Sequence, residues 1–257
     1  MIDARNKDDR IHRDISLDNI ILVREPGNPI RRGYLIDWEV SCKVDADGRA
    51  CDVAERQVLF HCGQCANHLT CLQGTWRYMS YNVLDKEDVV HSLSDDMESL
   101  LYVVLYCSLR WLPHDEDEKS LGAHLHALFD YSEFLVGRLL GGNGKYLFLS
   151  TRRYLEHITF AHPPIKEWLD TVAEYRCVRD SFNVSAIPQK VVHPKHLDAF
   201  WAEFLASHTL EAKDRIERVL PASSSLSYSN SSVRSTSSVV SSDTQDIQKV
   251  PANVMVP

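Results

Sequence analysis

A carboxylate and a carboxamide near the start of the sequence have the residue types for acid–base and metal chemistry. Asp14 and Asn19 lie five residues apart in the stretch HRDISLDN at 12–19. A carboxylate can take the proton from an attacking hydroxyl, and a carboxamide oxygen can hold a divalent cation. A further carboxylate, Asp37, follows a short apolar run within LIDWE at 35–39. Because Mg²⁺ usually takes only one or two protein oxygens besides phosphates, Asn19 and Asp37 suffice for a predicted Mg²⁺ site.

Two further motifs lie downstream of these residues. GTWRYM occupies 74–79, and HSLSDDMES at 91–99 leads into a strongly apolar stretch. With HRDISLDN and LIDWE, they resemble four protein-kinase segments in the same order: the catalytic loop, the metal-binding segment, the end of the activation segment and the central C-lobe helix. The combination is most similar to the fungal-type protein kinase-like family. Each motif is weak by itself, but the four in register over 12–105 are specific together.

The resemblance implies catalytic and metal-binding roles for the first two motifs. Within the triplet His12, Arg13 and Asp14, Asp14 would be the base that accepts the substrate hydroxyl proton, and Arg13 would clamp the activation segment. Asn19 and Asp37 would hold the Mg²⁺ ions that accompany ATP. Without the other motifs, the triplet would be better explained as a turn with a buried histidine and a surface ion pair.

The later motifs imply supporting roles. Gly74 and Thr75 would belong to the substrate loop, with Thr75 contacting the catalytic loop. Asp96 would brace the backbone of the catalytic loop from the central helix. The implied fold class is mainly α with a small β-hairpin, corresponding to the C-terminal lobe of the α+β protein kinase fold.

Several residues depart from the kinase pattern. Ser16 occupies the position where serine/threonine kinases usually carry a lysine, and Trp38 and Glu39 replace the usual Phe-Gly pair. Asn82 lies where a glutamate normally pairs with an arginine of the C-lobe. This last difference predicts weaker anchoring of the chain after the substrate loop.

The ATP-binding elements of a kinase have no counterpart in the sequence. Kinases use a Gly-rich loop, a strand lysine and a helix glutamate, all N-terminal to the catalytic loop. Only eleven residues precede His12, and none of them resembles these elements. We therefore expect a truncated kinase-like C-lobe that by itself binds ATP very weakly and has no appreciable turnover.

A group of soft metal ligands lies between the second and third motifs. Cys62, Cys65, His68 and Cys71 fall within ten residues, and zinc sites use four such ligands. Two ligand pairs separated by only two residues are unusually close for one tetrahedral centre. The sequence therefore favours exposed thiols with incidental histidines over a structural zinc site.

The predicted secondary structure places the motifs at the edge of a helical body. Two short runs rich in β-branched and aromatic residues, 19–24 and 33–36, flank the breaker-rich stretch EPGNP and predict a β-hairpin. The stretch 94–112 is apolar on nearly every face and predicts a central buried helix. Further helical patterns cover residues 120–134, 146–160, 163–179 and 194–220.

The composition changes sharply near Leu220. In the stretch 223–242, 13 residues are Ser or Thr, and Arg234 carries the only charge. Such a segment cannot bury enough apolar surface to offset about 1–2 kcal/mol of backbone entropy per residue. We therefore predict a kinase-like region at 1–220 and a disordered tail at 221–257, which is either phosphorylated or an inert extension.

The overall composition limits the classes of partner. The chain has 28 Lys and Arg against 36 Asp and Glu, a net charge of −8, which argues against nucleic-acid binding because phosphate contacts need clustered Lys and Arg. No stretch is long and apolar enough to cross a membrane, and the first residues do not form a secretory signal. The odd number of cysteines, seven, suits reduced thiols. We expect a soluble intracellular protein.

Three functions remain open from the sequence. The first is ATP-dependent phosphoryl transfer to Ser or Thr of a protein substrate. The second is a catalytically dead kinase-like module that binds or regulates a protein, such as a kinase-like partner. The third is a small-molecule phosphotransferase of the choline or aminoglycoside kinase type, which shares an HxD…N loop. The GTWRYM segment favours a protein substrate, because small-molecule kinases lack that peptide-positioning loop.

Overall fold

The computed structural model describes residues 8–27, 31–45, 49–50, 75–86, 89–135, 138–176, 194–209 and 214–220. All of these residues lie within one unit of the chain. The described part contains six α-helices and three two-stranded antiparallel sheets. The fold is therefore mainly α with small β elements.

The elements follow a simple order along the chain. The strands are β1 (Arg10–Ile11), β2 (Ile20–Arg24), β3 (Arg31–Leu35), β4 (Cys42–Lys43), β5 (Ser132–Leu135) and β6 (Arg138–Gly141). The helices are α1 (Tyr81–Asp85), α2 (Leu93–Trp111), α3 (Glu118–Leu125), α4 (Asn143–Thr151), α5 (Pro163–Tyr175) and α6 (Pro194–Ser207). A 3₁₀ turn, Trp76–Tyr78, precedes α1, and a π-helical turn, His126–Asp130, follows α3.

The β2–β3 hairpin forms from the two runs that predict strands. The two strands pair antiparallel, with Ile20 opposite Leu35. Gly27 lies in the turn after β2 and has a φ of 78°, a conformation that glycine adopts without the steric cost of a side chain. The predicted hairpin is confirmed. It begins directly after Asn19 and ends two residues before Asp37, so it sets the positions of both predicted metal ligands.

Helix α2 is the central helix of the fold. Its residues Leu101, Leu105 and Leu109 have no exposed surface, as an all-round apolar helix requires. The helix begins after Ser92, whose backbone N–H donates to the Asp95 carboxylate at 2.8 Å. A carboxylate in the first turn also interacts favourably with the helix dipole. The predicted central buried helix is confirmed.

The other helices pack their apolar faces around α2 in one core. Fully burying a leucine- or phenylalanine-sized side chain contributes about 1.5–3 kcal/mol, so these contacts are the main source of stability. Each helix from α3 to α6 contributes two buried side chains that illustrate this core: Leu121 and Leu125, Phe148 and Leu149, Leu169 and Val172, and Leu197 and Phe204.

The region after α3 differs from the predicted helix at 120–134. Helix α3 continues only as the π turn, and β5 then pairs with β6, with Phe134 opposite Leu139. Short apolar runs do not distinguish a helix from a strand by periodicity alone. The fold therefore has more β structure than the single predicted hairpin, because β1–β4 and β5–β6 form two additional sheets.

Two of the predicted helices are longer than those observed. Helix α4 ends at Thr151, because Arg152 has a left-handed φ of 63° that a right-handed helix cannot continue. Helix α6 ends at Ser207, and the described residues 214–220 are not helical. Helix α5 agrees better with its prediction, since Pro163 begins it with a ring that presets the helical φ.

Several predictions concern residues outside the described ones. These are the Ser/Thr-rich tail, Gly74 and the cysteine–histidine group at 62–71. Within the described ranges, no helix combines the length and the apolar character needed to cross a lipid bilayer.

Candidate active site

One buried carboxylate on α2 fixes the backbone of the predicted catalytic loop. Asp96 Oδ2 accepts a hydrogen bond from the backbone N–H of His12 at 2.6 Å, and Oδ1 accepts one from Arg13 at 2.9 Å. His91 Nε2 lies 3.2 Å from the same Oδ1. Asp96 is 1 % exposed, so these charge-assisted bonds are shielded from water. The central helix therefore holds the start of the loop.

Arg13 turns the chain sharply between β1 and Asp14. Its φ is 72°, in the left-handed region that non-glycine residues rarely adopt. Such a conformation costs about 1–3 kcal/mol and persists only where the surroundings enforce it. Here the Asp96 carboxylate enforces it through the bond to the Arg13 backbone. The Arg13 Nε is buried and has no hydrogen-bond partner among the described residues.

His12 joins the predicted catalytic loop to the end of the hairpin. Its Nδ1 accepts a hydrogen bond from the backbone N–H of Asp14 at 3.3 Å, so Nε2 carries the proton and donates it to the carbonyl of Ile36 at 2.9 Å. The edge of the Trp38 ring packs against the imidazole with 4.7 Å between the ring centres. His12 is thus a buried structural link between the two segments that carry Asp14 and Asp37.

The Asp14 carboxylate is oriented from two sides. Its Oδ1 accepts a hydrogen bond from the backbone N–H of Thr75 at 2.7 Å, and its Oδ2 accepts one from Asn19 Nδ2 at 3.1 Å. Asn19 Nδ2 also donates to the Asp14 carbonyl at 2.9 Å. An amide nitrogen with two acceptors fixes which side of the carboxamide carries the oxygen. The structure thus brings Asp14, Asn19 and Thr75 together.

Asp37 is tied to the same loop through its neighbour Ile36. The Ile36 backbone N–H donates to the carbonyl of Asn19 at 2.9 Å, and the Ile36 carbonyl accepts from His12. Asp37 has a φ of 60°, and its side chain is exposed. The hairpin therefore places the backbone of Asp37 beside the loop that carries Asn19.

The part of the chain that contains these residues matches a known family. Residues 5–108 match the family model described as fungal protein kinase. This part of the chain is therefore similar to the fungal protein kinase family. The motif-based resemblance is thereby confirmed. No curated protein matches the chain.

Glu98 anchors the residues that follow the predicted substrate loop. Its Oε1 accepts from the backbone N–H of Tyr81 at 2.6 Å and from the Tyr102 hydroxyl at 2.7 Å. Its Oε2 pairs with Arg176 at 2.8 Å. Arg176 also donates to Ser94 at the start of α2. One buried ion pair therefore connects α1, α2 and the end of α5.

The segment around Asn82 is held to α2 by other residues. The Asn82 side chain makes a local bond, in which its Oδ1 accepts from Lys86 at 3.1 Å. Arg176 pairs with Glu98 on α2, and the weaker anchoring expected from the asparagine stays a prediction. Nearby, Ser80 donates to Asp95 at 2.6 Å and adds a second link from the same segment to α2.

A buried lysine from α4 holds the 3₁₀ turn from the opposite side. Lys145 Nζ donates to the carbonyl of Met79 at 2.5 Å and to that of Trp76 at 3.4 Å, and it lies 4.6 Å from the centre of the Tyr102 ring. Lys145 is 1 % exposed. Burial lowers the pKa of Lys145 to about 7, and the charges of Glu98 and Asp130 partly oppose this shift.

Sequence reasoning missed Glu98, Lys145 and Arg176, although one signal was present. A glutamate in the middle of an all-round apolar helix must find a partner, since an unpaired buried charge is costly. The partner itself could not be predicted, because Arg176 lies 78 positions along the chain from Glu98. No cluster of three or more His, Cys, Asp or Glu side chains forms a metal site within the described ranges.

Proposed function

We propose that the site transfers the γ-phosphate of ATP to a Ser or Thr hydroxyl of a protein substrate. Asp14 accepts the hydroxyl proton as the new bond from oxygen to phosphorus forms, and the bond from phosphorus to ADP breaks. The observation that carries the proposal is the orientation of the Asp14 carboxylate by Thr75 and Asn19. Positioning of this kind supplies much of the rate in phosphoryl transfer, in which the protein does little covalent chemistry.

Asn19 and Asp37 are the residues that would hold Mg²⁺ in this proposal. The donor set suits the ion, because a carboxamide oxygen and a carboxylate are the oxygen ligands that Mg²⁺ prefers. Asn19 directs both amide hydrogens to Asp14, which leaves its carbonyl oxygen on the other side of the carboxamide. When bound, the metal neutralises charge on the phosphates.

The link between Asp14 and Thr75 supports a protein substrate. Thr75 begins the segment that continues as the 3₁₀ turn Trp76–Tyr78 and that Lys145 and Glu98 hold in place. A loop fixed at both ends and bonded to the catalytic carboxylate can position a polypeptide beside that carboxylate. Small-molecule kinases lack this loop, so its presence favours a protein substrate over a small-molecule substrate.

The test is a single-turnover assay with radiolabelled Mg–ATP, since we expect ATP binding by this chain to be weak. The chain is used in excess, and mixed Ser- and Thr-containing peptides serve as acceptors. Although we expect no appreciable steady-state turnover, the excess of the chain should give slow single-turnover transfer of label to Ser or Thr that is lost in Asp14→Asn. Glu39→Gln is the matched control, because it converts an exposed carboxylate on the neighbouring segment to an amide and should retain transfer.

The outcome separates the alternatives. Transfer that is equally fast in the wild type and in Asp14→Asn would contradict the role of Asp14 as base. A folded chain without any transfer would contradict the proposal and favour a kinase-like binding module. Transfer to choline or an aminoglycoside, but not to peptides, would favour a small-molecule kinase.

A further inference from the structure

A cleft with a volume of about 490 Å³ opens beside the predicted catalytic loop. Its lining includes Leu17 and Asp18 of the loop and Thr75. The backbone of Thr75 is bonded to the Asp14 carboxylate. A group bound in this cleft therefore lies next to the residues that orient Asp14.

Much of the wall of the cleft is aromatic. The ring of Tyr106 packs edge-to-face against Tyr78, Trp111 and Phe129, with ring centres 5.9, 6.0 and 5.4 Å apart. Trp76 adds a further ring to the lining. Aromatic pairs in this geometry form rigid surfaces for large apolar groups. The wall is therefore suited to an apolar side chain.

The charges in the lining do not favour an acidic occupant. Arg77 is the cationic side chain there, and it already donates two hydrogen bonds to Asp130 Oδ1, at 3.0 and 2.8 Å. Its guanidinium also lies 5.1 Å from the centre of the Tyr106 ring. With Arg77 paired to Asp130, the carboxylate of Asp18 remains as the excess charge of the lining. An acidic group would be repelled, whereas an apolar or basic segment would not.

The β5–β6 hairpin extends the apolar surface beyond the cleft. Ser132 and Leu139 of the hairpin line the cleft, and Phe134 lies opposite Leu139 in the strand register. Side chains at directly opposed positions lie on the same face of the sheet, so Phe134 continues the lined surface outward. Phe134 is 65 % exposed. An exposed phenylalanine continuous with an aromatic cleft is typical of a surface that binds another chain.

We propose that this cleft and Phe134 bind a large apolar side chain of the protein substrate, close to its phosphoacceptor hydroxyl. The inference rests on the proposed function for the identity of the partner as a substrate. A polypeptide suits the site better than a small molecule, because the apolar surface extends from the cleft along an exposed strand. The substrate segment is apolar or aromatic at the docking position and is not acidic.

The first experiment measures binding without ATP and is independent of catalysis. The probes are short fluorescein-labelled peptides with one serine, in which a single phenylalanine is moved through the neighbouring positions and is replaced by alanine or aspartate in matched peptides. Fluorescence anisotropy gives the affinity of the full chain for each. We expect at least one phenylalanine position to bind about tenfold more tightly than its alanine counterpart, since burial of such a side chain is worth at least that factor.

Ser132→Trp and Phe134→Ser test where the peptide binds, and Glu133→Trp is the control. Ser132→Trp fills the cleft from β5, and Glu133→Trp adds the same group to the opposite face of the strand. We expect about a tenfold loss of phenylalanine preference in Ser132→Trp and none in Glu133→Trp. Phe134→Ser changes an exposed residue with little risk to folding and should also weaken binding. Circular dichroism verifies that each variant is folded.

The possible failures are distinguishable. Equal affinity for phenylalanine and alanine at every position, or a preference unaffected by both Ser132→Trp and Phe134→Ser, would overturn this inference while leaving the phosphotransfer proposal intact. Phenylalanine-dependent binding without Asp14-dependent transfer would retain the docking site and contradict the proposed function.

Discussion

Three ionisable residues with almost no exposed surface hold the loops of the candidate active site. Asp96 binds the backbone of the predicted catalytic loop, Glu98 binds the segment after the predicted substrate loop, and Lys145 binds the carbonyls of the 3₁₀ turn. Each satisfies backbone groups that would otherwise be buried without a partner. The loops that orient Asp14 are therefore positioned by buried polar contacts and not only by apolar packing.

The Glu98–Arg176 pair should contribute strongly to stability. Glu98→Gln removes the carboxylate and leaves Arg176, whose side chain is only 14 % exposed, without its counter-ion, and we expect the free energy of unfolding to fall by about 3–5 kcal/mol. Glu174→Gln is a matched control, because Glu174 pairs with Arg152 at the same 2.8 Å but is 53 % exposed. That change should cost less than about 1 kcal/mol. Urea denaturation measures both, and equal effects would contradict the importance of burial.

Lys145 should make stability depend on pH. Its pKa is lowered to about 7 in the folded chain, so above pH 7 the unfolded chain holds a proton that the folded chain has lost. As the pH rises above 7, this residue therefore raises the free energy of unfolding by up to about 1.4 kcal/mol per pH unit. The increase stops when Lys145 of the unfolded chain also loses its proton. Below pH 7 the penalty for burying the charge is fully present.

The check is the stability difference between the wild type and Lys145→Met, measured by urea denaturation at pH 7, 8 and 9. We expect the difference to move in favour of the wild type as the pH rises. Lys119→Met, at an exposed position on α3, is the control and should give a difference that does not change with pH. A constant difference for Lys145→Met would contradict the lowered pKa.

At the scale of whole elements, the helices and strands set by a local sequence pattern were predictable, and those set by tertiary contacts were not. The β2–β3 hairpin and α2 follow from a breaker-rich turn and an all-round apolar pattern, both contained in a short window. The β5–β6 hairpin was missed, because the helical pattern was continued through Phe134 and a short apolar run does not distinguish a helix from a strand. The hairpin also packs closely on the 3₁₀ turn, where a Cβ at Gly141 would overlap the Trp76 ring, and such a tertiary contact has no local signal.

The candidate site divides in the same way. Asp14 and Asn19 could be selected from residue types and spacing, and Thr75 from the resemblance, and the structure brings the three together. The contacts that hold them come from residues far along the chain, such as Lys145 on α4, whose role as a buried donor has no local signal. Sequence spacing therefore identifies the candidate site residues better than it identifies distant supports such as Lys145.

Helix α4 should be sensitive to a single added methyl group. Gly144 packs so closely on the π turn that a Cβ would overlap the carbonyl group of Ala127. Alanine usually stabilises a helix relative to glycine by about 1 kcal/mol, but the overlap is with backbone that cannot rotate away. We expect Gly144→Ala to lower the free energy of unfolding by about 1–3 kcal/mol.

The control for this change is Gly33→Ala on β3. A Cβ there would lie 3.8 Å from Leu22 Cδ2, an ordinary contact, so the substitution should be neutral or slightly stabilising. Thermal denaturation followed by circular dichroism compares the two variants. If Gly144→Ala were as stable as the wild type, the close packing of α4 on the π turn would be contradicted.

At the scale of the whole molecule, α2 connects distant parts of the chain through its two ends. Its first turn binds the catalytic loop through Asp96, and its last turn binds the described residues 214–220. The Ile216 backbone N–H donates to the carbonyl of Trp111 at 2.8 Å. Trp111 also lines the proposed docking cleft. The late segment 214–220 thus supports one wall of that cleft.

Arg218 is the residue that should fix this segment to α2. Its guanidinium donates to the carbonyls of Leu112 at 2.7 Å and Arg110 at 3.3 Å, at the end of the helix where carbonyls lack intrahelical partners. Arg218 is 8 % exposed, and Arg218→Ala would leave these acceptors shielded and unpaired. We expect a loss of about 1–3 kcal/mol in the free energy of unfolding.

The matched control is Arg215→Ala, three residues earlier in the same segment. Arg215 is exposed, and its guanidinium lies over the Trp111 ring at 4.6 Å from the centre, a contact worth about 0.5–1 kcal/mol at such a site. Urea denaturation should therefore rank Arg218→Ala well below Arg215→Ala in stability. Hydrogen exchange locates the effect: Arg218→Ala should increase exchange at the amides of 214–220 and at the last turn of α2, while the first turn near Asp96 retains its protection. Uniform loss of protection along α2, or equal stability of the two variants, would contradict a specific role of Arg218 at the end of the helix.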